Sequence, residues 1–341
     1  MLRSSVREFA QKSIEPMAAK IERDGLRPET AREMASQGFV GARIPTEHGG
    51  TGLDLAGYMI VLEELARVSP SAAVRVLITN SIFLPLVSSS QKGSEILPDV
   101  ASAKRNVAVA GFGITRGAKP GITTEGGRAR GRVDHVLNSG ADALVAATGD
   151  ARDSLLLLKS GFRAVGEHPQ LGLRGLGFAP IEVDSADFEM LSEGGARLIQ
   201  GALDAMDLDV AAVSLGIAAG SLTKAVEYSK VRTTFERPLK DYQPVAFGLS
   251  LLKAEEDSVR DFAYKESHSA AERTMARVRA VSLARKATNQ ALQFHGGYGY
   301  FEDFGVEKFY RDAMAFSLLF SGVSDMTRLS EQVFDSKAGM I

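Results

Sequence analysis

The sequence predicts a mainly α protein in three parts: helices, then a small β domain, then helices again. Three observations lead there. Apolar residues recur at helical spacing through residues 1–105; over 106–191 they gather into short runs divided by glycines; over 192–341 long helical patterns return. A chain of 341 residues with 45% apolar content can bury a core in parts of that size.

In the first part, Val6, Phe9, Ala10 and Ile14 share one helical face, as do Met59, Leu62, Leu65 and Ala66. Between these helices, residues 44–52 are dense in Pro and Gly and read as an ordered loop, either a helix connector or a ligand contact. The middle part has apolar runs at 107–110, 143–147, 155–158 and 181–183, with Gly-rich breaks at 126–127 and 172–177. In the third part, 210–231 is apolar almost all round, which predicts a buried helix, while 243–265 and 271–294 are amphipathic. Helices of that length in succession predict an antiparallel four-helix bundle.

Forty basic residues against forty-two acidic ones leave a net charge of −2, so nothing favours nucleic acid or an anionic membrane as partner. The absence of cysteine rules out a disulfide framework, a thiolate nucleophile and any Cys-ligated metal. The five histidines, His48, His135, His168, His268 and His295, offer no pair at the i, i+4 spacing of a helical site, and no metal centre is expected. The N-terminal residues carry charges throughout, unlike a signal peptide or a membrane span, and a cytoplasmic setting suits these features.

Three segments carry more specific information. Arg232-Thr233-Thr234-Phe235-Glu236-Arg237-Pro238-Leu239 is followed by Tyr242-Gln243; Gln293-Phe294-His295-Gly296-Gly297-Tyr298-Gly299 forms a Gly-rich turn after a helix; and Glu307-Lys308-Phe309-Tyr310-Arg311-Asp312-Ala313 follows it. Alone, the Gly pair reads as a helix C-cap or as a place where backbone N–H groups approach a phosphate. Together the segments resemble the acyl-CoA dehydrogenase superfamily, and the residues 44–53 loop and Glu63-Glu64-Leu65-Ala66-Arg67 add weaker support. The resemblance spans nearly the whole chain, with its specific motifs after Arg232.

That resemblance implies a fold that is mainly α with a small β-barrel: an N-terminal helical domain (1–105), a middle β-barrel (106–191) and a C-terminal four-helix bundle that binds FAD (192–341). It implies that Arg232 pairs with the FAD pyrophosphate as a fixed cationic fork, that Phe235 packs on the cofactor and that Gln243 bonds its adenosine side. Gln293, Gly296 and Gly297 reach FAD held mainly by a neighbouring subunit, which implies a homodimer or homotetramer. Thr115 and Val323 complete the implied cofactor contacts. Glu236 stands where the family usually has Gly. Arg311-Asp312 is expected to be a structural ion pair rather than a catalytic one.

Removing an α-proton from an acyl thioester while hydride leaves the β-carbon needs a base beside the flavin ring. The family usually supplies a glutamate in the turn where this chain has Phe320-Ser321-Gly322-Val323-Ser324, so Ser321 occupies the base position. In some branches the glutamate lies instead on the first buried bundle helix, at the position of Met206 here. Asp207, beside it, is either a relocated base or one of three helix N-terminal acids, with Asp204 and Asp209, that the macrodipole favours. The middle domain departs as well: the family's Thr-Glu-Pro-x-x-Gly-Ser-Asp strand reads Gly111-Phe112-Gly113-Ile114-Thr115-Arg116-Gly117, and its Trp-x-Thr-Asn strand reads His135-Val136-Leu137-Asn138.

The function implied is FAD-dependent α,β-desaturation of an acyl-CoA or acyl-carrier thioester, with electrons passed to an electron-transfer flavoprotein or similar acceptor. Two alternatives fit the missing glutamate. One is a catalytically silent subunit of a hetero-oligomer with a full-length relative. The other is a flavin-dependent monooxygenase or oxidase of the same fold.

Overall fold

The computed structural model describes residues 1–88, 90–110 and 121–334. Helices occupy the first hundred residues. Leu2–Phe9 continues through a π-helical turn, Ala10–Ile14, because Val6, Ala10 and Ile14 all bury on one side. Leu55–Ala66 begins at Asp54, whose carboxylate accepts the Gly57 N–H at 2.8 Å. Pro70–Leu77 begins at Ser69, with proline at the first helical position. The loop at 44–53 joins the Pro28–Ser36 and Leu55–Ala66 helices and folds back on itself: a Cβ on Gly50 would stand 2.0 Å from the Ile44 carbonyl oxygen.

The middle region contains β1 (Val107–Val109), β2 (Ile122–Glu125), β3 (Arg128–Leu137), β4 (Ala143–Ala147), β5 (Ser154–Leu158), β6 (Phe162–Ala164), β7 (Phe178–Ala186) and β8 (Glu189–Glu193). They make two four-stranded sheets, in the orders β1-β4-β5-β8 and β2-β3-β7-β6, with β1 parallel to β4 and the other pairs antiparallel. Alternation between two covered faces explains why β1, β4 and β5 are buried at every position. Ala108, Leu144, Leu156 and Leu158 face the second sheet, meeting Val133, Ile181 and Val183, while Val107, Val145 and Leu157 face the helical core. Among the described residues the sheets stack face to face and do not close into the expected barrel. A single bridge, Ile122 to Thr148, joins them.

The third region is the bundle: Asp207–Val231, Gln243–Ala263, Ala270–His295 and Val306–Phe320, with Val323–Phe334 after it. Asp207–Val231 is long and apolar enough to span a membrane, yet that surface is 83% buried within the protein. Its glycines let it lie against Leu55–Ala66, since a Cβ on Gly216 would be 2.3 Å from the Glu63 carbonyl oxygen. Ala270–His295 opens with a capping box, Ser269 accepting the Glu272 N–H and Glu272 accepting the Ser269 N–H.

Arg311 and Asp312 do not pair with each other. Arg311 bonds Glu22 and, at 3.1 Å, Glu307; Asp312 bonds Lys308 and accepts the Leu173 N–H at 2.6 Å. Adjacent helical residues project about 100° apart, so each reaches a different neighbour. Both remain structural, and between them they fasten the bundle to the N-terminal helices and to the 171–174 turn.

Candidate functional site

Six of the predicted cofactor residues, Arg232, Phe235, Gln243, Gln293, Gly296 and Gly297, lie where two bundle helices end. Asp207–Val231 stops at Arg232, and the chain reverses through a hairpin, Thr233–Thr234 against Arg237–Pro238. Only Phe235 and Glu236 turn this hairpin, with φ of 46° and 63°. A two-residue turn with both φ positive suits Asn-Gly, so two L residues with large side chains hold it under strain. The strain displays the Phe235 ring, which is 90% exposed. Glu236→Gly should relieve ~1–2 kcal/mol of left-handed strain against ~0.5–1 kcal/mol of added backbone entropy, for a net gain of about 0.5–1 kcal/mol. Urea unfolding reads this, and a loss of stability would show that the Glu236 side chain makes a contribution of its own.

The second helix end arrives at the same place. His295 stacks on Tyr228 with ring centroids 4.3 Å apart, and its Nδ1 lies 2.7 Å from the Ala291 carbonyl oxygen. Burial lowers the His295 imidazole from its ordinary value. Because Tyr228 lies one turn before Arg232, this stack sets the Gly296 turn beside it. Tyr298, two residues on, lies under the Arg232 guanidinium at 5.1 Å from ring centre to Cζ. Gly296 has φ 56° and ψ −139°, backbone that only glycine adopts readily, and a Cβ on Gly296 or Gly297 would meet nothing within 4 Å. The cradle is thus open on its outer side. Gln243, the first residue of its helix, and Gln293 are both exposed, and their helices pack where Gly248 meets Phe294.

An exposed guanidinium, two carboxamides, an open glycine turn and a displayed aromatic ring make a chemically suitable seat for a nucleotide diphosphate: fork, backbone donors and stacking surface. Glu236 is the one carboxylate in the hairpin turn, and it is exposed. Tyr228, His295 and Tyr298 were not foreseen from the sequence; the aromatic residue one turn before Arg232 was the available signal. Thr115 lies outside the described residues. Val323 is the first residue of Val323–Phe334.

At the base position Ser321 is half-buried and extended, φ −151° and ψ 159°, its N–H donating to the Ser317 carbonyl at 3.0 Å. Its neighbours are tied on both sides. Phe320 O accepts from Arg277, and the Gly322 N–H donates to Asp325 Oδ2 at 3.0 Å. Arg277 is fully buried and also reaches Asp207 at 3.2 Å and Asp325 at 3.4 Å, while Arg328 reaches the same Asp207 oxygen at 2.5 Å. Thr274 donates to the other Asp207 oxygen at 3.2 Å. Asp207 therefore sits inside a network of two carboxylates and two guanidiniums. That placement favours the structural reading of Asp207 over a relocated base.

Asp209, two positions on, is buried on another side. Its Oδ1 has no hydrogen-bond partner among the described residues, and it lies beside the Ser81 hydroxyl, itself 2.8 Å from the Tyr58 hydroxyl. Burial pushes the Asp209 carboxyl up to about 6, against the opposing pull of Ser81 and Arg43, with Asp207 adding to the rise. A folded value above the free carboxyl's means the fold binds this proton more tightly than the unfolded chain does. The resulting stability is whole below about pH 4 and is lost as pH rises through about 6. A rise of that size corresponds to about 3 kcal/mol of stability. Asp209→Asn should remove that pH slope, so the stability curves of variant and parent, from urea unfolding at pH 4 to 7.5, should converge at low pH and part at high pH. Parallel curves would contradict it.

Comparison with known proteins decides the family. Residues 1–104 match the acyl-CoA dehydrogenase N-terminal domain and 193–330 match the acyl-CoA dehydrogenase C-terminal domain. The chain belongs to the acyl-CoA dehydrogenase family. It is a flavin-dependent oxidoreductase of the CH–CH class, with FAD as cofactor. Among curated relatives it is 26% identical to a 3-(aryl)acrylate reductase of Clostridium sporogenes, with 96% of each chain covered. It is 28% identical to a caffeyl-CoA reductase–Etf complex subunit of Acetobacterium woodii, again with 96% of each covered. A glutaryl-CoA dehydrogenase from Mycobacterium smegmatis, solved in complex with FADH2, superposes with a TM-score of 0.86 at 18% identity, covering 100% of this chain and 95% of that one.

Proposed function

We propose that this member of the family performs α,β-oxidoreduction of an acyl-CoA thioester and exchanges electrons with an electron-transfer flavoprotein. The observation that carries the reading is the meeting of Arg232, Phe235, Gln293 and the Gly296 turn at one surface, joined through the Tyr228–His295 stack and the Arg232–Tyr298 contact. Bound there, FAD supplies the hydride-accepting centre. Arg232 would hold the pyrophosphate, the Gly296 and Gly297 N–H groups would approach a phosphate, and Phe235 would cover an aromatic ring. The open outer side of the cradle and the exposed Phe235, Phe247 and Leu251 suit a neighbouring subunit, hence a homodimer or homotetramer. The Etf complex in one relative's name supports the electron partner.

Proton transfer at the α-carbon falls to the chain's own side chains. Ser321 offers a hydroxyl, which stays protonated near neutrality, so it can orient a substrate but abstracts a proton poorly. This favours a second reading, in which the chain is a silent subunit beside a full-length relative. The test is purification and a visible spectrum, followed by anaerobic addition of a panel of acyl-CoAs. A yellow protein bleached by a thioester supports turnover. A yellow protein that none bleaches supports the silent subunit, or, if it consumes oxygen once reduced, an oxidase or monooxygenase. A colourless protein that takes up no FAD ends the proposal.

A further inference from the structure

Buried cations in this molecule come with carboxylates: Arg277 with Asp207 and Asp325, Lys308 with Asp312. Among the described residues Arg75 is the exception. It lies on Pro70–Leu77 and is 9% exposed, yet no carboxylate among the described residues comes within 4.0 Å of its guanidinium. Among the described residues its guanidinium makes one hydrogen bond, to the Leu26 carbonyl, which at 3.4 Å is at the weak end of the range. Burial pushes Arg75 down to about 10, with only Asp142 opposing at longer range. An isolated charge in such a place is costly, and folded proteins normally pair it.

The unpaired guanidinium borders a cavity of 270 Å³ between the N-terminal helices and the sheets, together with Arg23, Arg174, Asn106, Asn138 and Glu167. The two asparagines spend their amide donors on each other and on the backbone, at Val107 and Gly140, so they shape the wall and do not answer Arg75. Arg174 donates Nε to the Gln170 carbonyl and keeps its outer nitrogens, the closest acid being Glu22 at 3.9 Å, whose Oε1 already receives Arg311. On the acidic side, Asp24 also lines the cavity but is held by Arg27 at 3.0 Å, which leaves Glu167 against three arginines.

We propose that this cavity is a binding site for a small oxyanion, inorganic phosphate or a carboxylate of similar size, gripped by the Arg75 guanidinium with Arg174 and Arg23 completing the charge. A planar fork matches two oxygens of such an anion at once. The volume falls just below the ~300–1,000 Å³ of pockets that hold drug-sized ligands, which suits a small anion. Arg75 and Leu26 belong to the helical region and Asn138 and Arg174 to the sheet region, so the anion ties the two together. The site is separate from the cofactor surface, and its occupancy does not depend on the flavin.

The test uses the full chain, titrated with sodium phosphate against sodium chloride at matched ionic strength and pH, with thermal unfolding and calorimetry as readouts. A saturable rise in Tm and a titratable heat with phosphate are expected, and acetate tests the carboxylate arm. Arg75→Met exchanges the unpaired cation for an apolar side chain of similar reach and should weaken phosphate binding by about 10–100-fold, the worth of one charged hydrogen-bonding group. If Arg75→Met does not fold, Arg174→Gln reads the same site from its rim and should weaken binding at least several-fold. The absence of a saturable response in the parent chain, or an unchanged response in both variants, overturns the proposal.

Discussion

Ser321→Glu should raise acyl-CoA turnover by about 10²–10⁴-fold, the usual worth of a positioned general base. The gain depends on the seat, and the seat is built. Arg277 fixes the Phe320 carbonyl and Asp325 fixes the Gly322 N–H, so position 321 is held from both sides whatever side chain it carries. A glutamate there would feel a buried guanidinium that favours its charge and a buried Asp325 that opposes it, and the pH–rate profile reads the balance. The measurement is anaerobic flavin bleaching by acyl-CoA in parent and variant at equal flavin content, followed by a pH–rate profile. A new ionisation in the variant's profile identifies the base. A flavin-replete variant that still bleaches no faster than the parent would favour the silent-subunit reading.

Arg277→Met should cost about 3–5 kcal/mol, the largest stability loss predicted for this chain, because it takes from the buried Asp207 and Asp325 a guanidinium that both share. Urea unfolding of the FAD-free chain measures it. Asp207→Asn should lose stability for the complementary reason, by leaving Arg277 and Arg328 with one carboxylate fewer, and the double variant should cost less than the sum of the two. If Asp207→Asn were instead stable and inactive, Asp207 would return as the base. Losses under about 1 kcal/mol for both would show that packing, not charge, holds the Phe320–Asp325 turn.

Much of the fold was legible in the sequence because it follows from local periodicity. The spacing of Val6, Ala10 and Ile14, the all-round apolar 210–231 segment and the short runs at 143–147 and 155–158 each specify an element and its buried face. The barrel was not so specified. A run buried on both faces looks the same whether its sheet closes or stacks against another, and only the pairing of β1 with β4 and of β3 with β7 distinguishes them. Arg311 and Asp312 illustrate the same limit at residue scale: adjacent letters suggest a pair, and helical geometry sends them to Glu22 and Lys308 instead.

The sequence by itself therefore determined the family, the order of helices, strands and helices, and the absence of a carboxylate at position 321, since motifs and their gaps are properties of adjacent residues. Tertiary structure alone decided which charges are answered. It placed Asp207 between two arginines, left Asp209 with a bare oxygen and Arg75 without a carboxylate among the described residues, and brought His295 onto Tyr228 across 67 positions of chain. Ion pairing and stacking depend on distances of a few ångströms between elements remote in sequence, and those distances exist only once the helices and sheets have packed.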